Sequence, residues 1–203
     1  MPTPMIASLA AELPEGSVVT DPDILASYRQ DRAADPAAGT PLAVVRPRRT
    51  EEVQTVLRWA TAHRVAVVPR GMGTGLSGGA TAVNGGIVLS TERMRDITVD
   101  PVTRTAVVQP GLLNAEVKKA VAEYGLWYPP DPSSFEICSI GGNIATNAGG
   151  LCCVKYGVTT DYVLGLPTPD ERTVLDAALD RSVEAIETVA RRGIGAAMNK
   201  FNA

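Results

Sequence analysis

Histidine is nearly missing from this sequence. His63 stands alone, and the three cysteines, Cys138, Cys152 and Cys153, form no CxxC pair, so there is little with which to hold a metal ion and no metal site is expected. His63 lies in "TAHR" ahead of an apolar run and reads as a surface or helix-end residue. Three thiols cannot all be bridged within one chain, which suits a reducing compartment, read here as the cytoplasm. Aromatic residues make up only 4%, too few for a base-stacking platform. Nineteen basic residues against 22 acidic ones leave a formal charge of −3, so nucleic acid is not an expected partner and a membrane surface is disfavoured. Lysine is absent between residues 65 and 117, which removes the Gly-Lys-Ser/Thr of a phosphoryl-transfer loop from the chain's main glycine cluster. The opening "MPTPMIASLAAELPEG" has no basic stretch and no sustained apolar run, so no secretory leader is expected. Residues 137–154 carry no charge, a length that could suggest a membrane span, but four glycines and two asparagines argue against one.

What is present is ample core material, 45% hydrophobic residues in 203, and punctuation by 19 glycines and 15 prolines. Strand-like and helix-like segments alternate through the first 165 residues, the pattern of an α/β or α+β arrangement. "TDPDILASYRQD" predicts a short first helix capped by Thr20 or Asp21. "PLAVVRP", "TEEVQTVLRWATAHR" with Thr50 as cap, and "VAVVP" predict strand, helix and strand in one βαβ unit. Three β-branched runs follow in "GGIVLS", "MRDITVD" and "TRTAVVQPG", and then a helix from an Asn114 cap to a stop at Gly125. "LWYPPDPSS" is a rigid corner, because proline fixes φ and removes donors. "SIGGNIATNAGGLCCVKYG" predicts a second small-residue loop followed by a short helix or turn, and "TTDYVLGL" the start of another strand. Beyond it, Thr168 as cap, Pro169, Glu171 and an apolar face from Val174 to Val189 predict an amphipathic helix before the tail "GIGAAMNKFNA".

The densest cluster is "VVPRGMGTGLSGGA", residues 67–80, leaving the carboxyl end of a predicted strand. Ordering so many glycines is entropically costly and calls for a special chain path or a close visitor. A diphosphate is held well by main-chain N–H groups, and glycine lets the chain approach its oxygens. Gly71, Gly73, Gly75, Gly78 and Gly79 free that path, Thr74 and Ser77 add hydroxyls, and Arg70 supplies charge or braces the loop. The Rossmann pattern fails, because Leu76 stands where its third small residue belongs and no acid ends "IVLS".

Together with "QPG" at 109–111, "PPDPSS" at 129–134, "SIGGNIATNAGG" at 139–150 and "VKYG" at 154–157, this loop resembles the FAD-binding domain of the glycolate oxidase subunit and D-lactate dehydrogenase group. These are FAD-linked oxidases of the vanillyl-alcohol-oxidase type, with a PCMH-type FAD-binding domain. The resemblance covers residues 15–166, leaves 167–203 as a helix and tail of unclear origin, and implies an α+β, two-lobed domain whose second lobe is incomplete. It implies that Arg70, Gly71, Met72, Gly73, Thr74, Gly75, Leu76 and Ser77 wrap the FAD pyrophosphate, that Pro110 and Gly111 pass near it, and that Pro130, Asp131 and Ser133 shape its cradle. Ser139, Gly141, Gly142, Asn143, Thr146, Asn147, Gly149 and Gly150 would line the flavin and ribityl side. With no histidine in the first loop, FAD would be non-covalent.

The activity so implied is oxidation of a small 2-hydroxy acid by hydride transfer to flavin, with electrons passed to a second acceptor. No catalytic residue is assigned, because the family draws these from a cap region that the resemblance does not reach. A "VVLADGTV" hairpin and a "GSEGTLGVVT" segment of the family also find no counterpart after Pro167, which reads as a truncation. A partner chain supplying the cap is therefore expected, or alternatively a non-catalytic FAD-binding or docking module, or a relic without independent activity. Residues 40–110 are expected to be well formed and those after Pro129 less so.

Overall fold

The computed structural model describes residues 4–163. The predicted helix from Thr168 to Arg192 lies outside them. Two sheets organise the described residues up to Asp161, which form one compact unit.

The chain starts with a helix that the sequence pattern did not single out, α1 (Pro4–Ala11), which puts Ile6 and Leu9 into the core. Proline stands in its first turn, and its Ala and Leu content supplies the propensity. Strand β1 (Val18–Val19) and helix α2 (Pro22–Ser27) follow. The α2 cap is Asp21, whose carboxylate accepts hydrogen bonds from the N–H groups of Asp23 and Ile24. Strand β2 (Ala43–Val45) leads into α3 (Thr50–His63). Thr50 is the first residue of α3 and not its cap; Arg49 occupies the cap, and the buried Glu52 carboxylate accepts the Arg48 N–H at 2.8 Å. His63 ends α3, its Nδ1–H donating to the Trp59 carbonyl at 2.8 Å with its ring stacked on Trp59.

Strands β3 (Val67–Arg70) and β4 (Ile87–Ser90) complete the first sheet, ordered β1-β2-β4-β3. The βαβ expectation places β2 and β3 in one sheet, and they are, but β4 separates them and runs parallel to both. Every residue of β2 and β4 is buried, which is why "AVV" and "IVLS" read as continuous apolar runs without alternation. Two cores flank the sheet. Ile6, Leu9, Val45, Val56, Trp59, Ile87 and Leu89 pack in the larger, and Leu25, Val44, Ala82 and Val88 in the smaller.

The second sheet is the antiparallel pair β5 (Ile97–Asp100) and β6 (Thr105–Val108). Helix α4 (Asn114–Ala122) covers it, packing Val117 and Val121 with Leu112, Ile140, Ile97, Val99 and Val108. Asn114 is again the first helical residue, not the cap. Leu113 takes the cap, where its N–H donates to Glu116 at 2.9 Å, half of a capping box closed from the glutamate side. Gly125 follows the helix in left-handed backbone at φ +69°.

The second small-residue stretch is not all loop. Residues Ile140–Thr146 form helix α5, capped by Ser139, whose hydroxyl accepts the Gly142 N–H, and stopped by Asn147 in left-handed backbone. Helix α6 (Cys153–Tyr156) follows. The strand expected at "TTDYVLGL" is replaced over its described part by helix α7 (Thr159–Val163). The Asp161 carboxylate accepts the Val158 N–H at 2.7 Å, and this local bond outweighs the strand preference of the two threonines.

Candidate functional site

The two stretches that the sequence marked for binding meet. A Cβ built on Gly71 would lie 2.5 Å from the Ser139 Oγ and 3.3 Å from the main chain of Gly142, so the first glycine of the loop is pressed against the start of α5. The Pro110–Leu112 segment closes the same seam: Gly141 donates to the Pro110 carbonyl at 2.8 Å and Ile140 to the Leu112 carbonyl at 2.9 Å. Gly111 has no room for a side chain, since its Cβ would fall 2.0 Å from the Thr91 carbonyl oxygen.

Behind them, the buried Pro130 offers its carbonyl to the Asn114 Nδ2, and Asp131 donates its N–H to the Gly149 carbonyl. The Asp131 carboxylate accepts from the Cys152 N–H at 3.1 Å and faces the Cys152 thiol at 3.4 Å, which pushes that thiol up from its ordinary value. Gly150, at φ +80°, lies flat against Asp131, where a Cβ would meet the carbonyl oxygen. Ser133 is exposed and stands apart from these contacts. Thr146 bonds back to the Gly142 carbonyl, and the Asn147 Oδ1 accepts from the Thr160 hydroxyl at 2.8 Å.

The first loop is organised differently from all of this. Among the described residues no main-chain N–H from residue 71 to residue 79 donates a hydrogen bond. Met72, Leu76, Ser77 and Gly79 are exposed and the other five residues half-buried, so the run is a set of main-chain donors open to an acceptor from outside the protein. The hydroxyls of Thr74 and Ser77 stand within the run, and Met72 and Leu76 turn outward, Leu76 being 77% exposed. The Arg70 side chain makes contacts of its own: its Nη1 donates to the carbonyls of Gln30 at 2.9 Å and Ala80 at 3.5 Å, and its guanidinium lies 5.4 Å from the centre of the Tyr28 ring. Burial lowers its pKa from the ordinary arginine value, opposed by the charges of Tyr28, Asp31 and Glu92. Gly73 folds over that guanidinium at φ +68°.

These features fit a dinucleotide. A diphosphate needs several N–H donors and close approach, and the loop offers both; a Cβ on Gly79 would meet nothing within 4 Å. On the α5 side the Nδ2 of Asn143, a residue only 3% exposed, is buried without a partner among the described residues. Such an orphaned amide donor is what a carbonyl or ring nitrogen of a bound ligand would satisfy.

The FAD binding domain family matches residues 41–172, well over half of the sequence. The chain belongs to that family. FAD is its cofactor, and the resemblance drawn from the five sequence segments holds. The glycolate oxidase subunit of Bacillus subtilis is 50% identical over 127 residues, 62% of this chain and 27% of that protein. The D-2-hydroxyglutarate dehydrogenase of Xanthomonas citri is 47% identical over 169 residues, 82% of this chain and 35% of the relative. Among solved structures, an alkyldihydroxyacetonephosphate synthase superposes with a TM-score of 0.71 at 25% identity, over 77% of this chain and 31% of that one. The mixed α+β, PCMH-like fold is thereby shown. This FAD-binding chain spans about a third of the length of the curated relatives it matches. No helix among the described residues is long and apolar enough to cross a membrane.

Sequence reasoning missed the wall behind the loop. Tyr28, Arg29 and Asp31 lie in a turn that showed no motif, and their roles depend on partners 10 to 64 residues away. The one signal available was the density of charged and hydroxyl residues in "SYRQDR" between a helix and a proline-containing turn.

Proposed function

We propose that this chain is the FAD-binding portion of an FAD-linked oxidoreductase that oxidises a small 2-hydroxy acid of the glycolate or D-lactate type. The observation that carries the reading is the run of main-chain amides from Gly71 to Gly79, at the end of β3, that donate no hydrogen bond within the described residues. The relatives named glycolate oxidase subunit, D-2-hydroxyglutarate dehydrogenase and D-lactate dehydrogenase support the substrate class, since each name denotes a 2-hydroxy acid.

Flavin, once bound, supplies the hydride acceptor; everything else here is positioning. Gly71 to Ser77 take the diphosphate on their N–H groups, Pro110 and Gly111 hold the seam beside it, and Pro130, Asp131 and Ser133 form the outer cradle. Ser139, Gly141, Gly142, Asn143, Thr146, Asn147, Gly149 and Gly150 face the flavin and ribityl end, with the Asn143 Nδ2 as the buried donor. No histidine occurs in either stretch, so attachment is non-covalent. The domain is taken as residues 15–166, with a cytoplasmic location. The two-stranded second sheet is where the remainder of the longer relatives would add strands, and the substrate-facing residues and electron acceptor belong to that remainder or to a partner chain.

Visible absorption of the purified chain tests this. Bound FAD, retained on gel filtration or taken up with one-to-one stoichiometry, is the expected result. Protein that stays colourless after incubation with excess FAD would remove the reading. Bleaching of the flavin band by glycolate or D-lactate is expected only when the missing part of a longer relative is supplied.

A further inference from the structure

Two charged side chains, Asp31 and Arg70, bond both to the main chain at the end of the glycine loop and to the turn after α2. Asp31 is a carboxylate only 8% exposed, and its Oδ1 accepts the Ala33 N–H at 2.9 Å, which fixes the turn after α2. Its Oδ2 accepts the Ala80 N–H at 3.4 Å and lies 3.6 Å from where a Cβ on Gly75 would stand. Arg70 bonds the Ala80 carbonyl from the other side at 3.5 Å while holding the Gln30 carbonyl at 2.9 Å. Ala80, the residue that closes the loop, is thus held through its N–H by the anion and through its carbonyl by the cation. Gly73 in the middle of the loop is draped over the same guanidinium.

The wall that carries Asp31 is itself anchored. The Arg29 side chain bonds the Ala38 and Gly39 carbonyls, the Arg29 carbonyl accepts the Ala82 N–H at 2.8 Å, and Ala82 accepts from Gly39 at 2.8 Å. The Tyr28 hydroxyl, one residue earlier, donates to Glu92 at 2.6 Å. All of these bonds are made within the protein and none needs a ligand to complete it. A loop of five glycines has no side-chain packing with which to select one path, and an external template is the means left to it.

We infer that Asp31 and Arg70 are a pair of positioning residues, a brace that selects the path of the 71–79 main chain and so pre-orients the amides that receive the FAD diphosphate. The inference rests on the proposed FAD site and extends it to a residue 40 positions upstream that no motif marks. Neither side chain touches the cofactor. Pre-organisation lowers the cost of ordering the loop at the moment of binding, so removing the brace raises the dissociation constant without altering the flavin's own surroundings.

The test uses the full chain stripped of flavin and titrated with FAD by fluorescence quenching, with ADP as a competitor that carries the diphosphate but no flavin. Asp31→Asn keeps the acceptor for Ala33 and removes the charge. It is expected to weaken FAD about tenfold and ADP by a similar factor, the scale of a lost charge-assisted hydrogen bond. The visible spectrum of the saturated complex should match that of the unaltered chain, and the melting temperature of the flavin-free variant should stay within about 5 °C. Affinity within twofold of the unaltered chain would overturn the inference while leaving the FAD site standing. So would weakened FAD with unchanged ADP, or a changed spectrum at saturation, since either places the damage at the flavin end. An unaltered chain that takes up neither FAD nor ADP overturns both the site and the brace. Should Asp31→Asn fail to fold, Arg70→Met serves: it keeps the unbranched stem and removes the Nη1 donor to both carbonyls. The same loss for FAD and ADP is expected, and unaltered-chain affinity would again overturn the brace.

Discussion

Gly73 shows what a single missing side chain does here. At φ +68° an alanine would pay for left-handed backbone, and its Cβ would stand 2.1 Å from the Arg70 Nη2, a guanidinium already committed to Gln30 and Ala80. Gly73→Ala is therefore expected to destabilise the chain by about 1–3 kcal/mol and to weaken FAD. Gly79→Ala, with open space at its Cβ, is expected to change stability by less than about 0.5 kcal/mol. Urea unfolding of the pair checks both. Tyr28 gives a pH signature at the same scale. Burial first, and then the hydrogen bond to Glu92, push its pKa up from 10.0 to about 12, so the folded state holds the proton more tightly than the unfolded chain. That contribution is complete below pH 10 and is lost as the pH climbs towards 12. Tyr28→Phe should flatten the fall in urea midpoint over that window; an unchanged slope would mean that the phenol does not titrate in this environment. The glycines were legible from sequence because so many in one place have few uses. Asp31 was not, because a carboxylate in a turn acquires its role only from Ala80, 49 residues away.

Among the elements, the two sheets differ in how much they bury. Strand β4 is one of the two inner strands of the first sheet and Ile87 within it is fully buried, whereas Val107 on β6 is 77% exposed. Ile87→Ala is expected to cost about 2–5 kcal/mol, and Val107→Ala less than about 0.5 kcal/mol. Equal costs in chemical denaturation would contradict this division of the core. Strands β2 to β6 are legible as apolar or β-branched runs between turn residues, to within about three residues at each end. The caps were less so. Thr50 and Asn114 are good cap residues, yet each begins its helix from the first turn, because Glu52 and Glu116 reach back to main-chain N–H groups and make the side-chain cap unnecessary. Likewise "TTDYV", rich in β-branched residues, predicts a strand, while the Asp161 carboxylate, accepting the Val158 N–H, favours the helical turn of α7.

For the molecule as a whole, the sequence order of loop, corner and α5 becomes a spatial order only through the seam of Pro110–Leu112 with Ile140–Gly141, which brings Gly71 against Ser139. The family resemblance anticipated that meeting; composition and periodicity alone did not. The central claim is that the amides of residues 71–79, unbonded within the protein, receive the diphosphate of FAD. Residue-resolved amide NMR of the flavin-free chain titrated with ADP addresses it most directly. Saturable shifts concentrated on Gly71 to Gly79, moving downfield as hydrogen bonds form, are the expected result. Saturable binding of ADP that leaves those nine amides unmoved would contradict it.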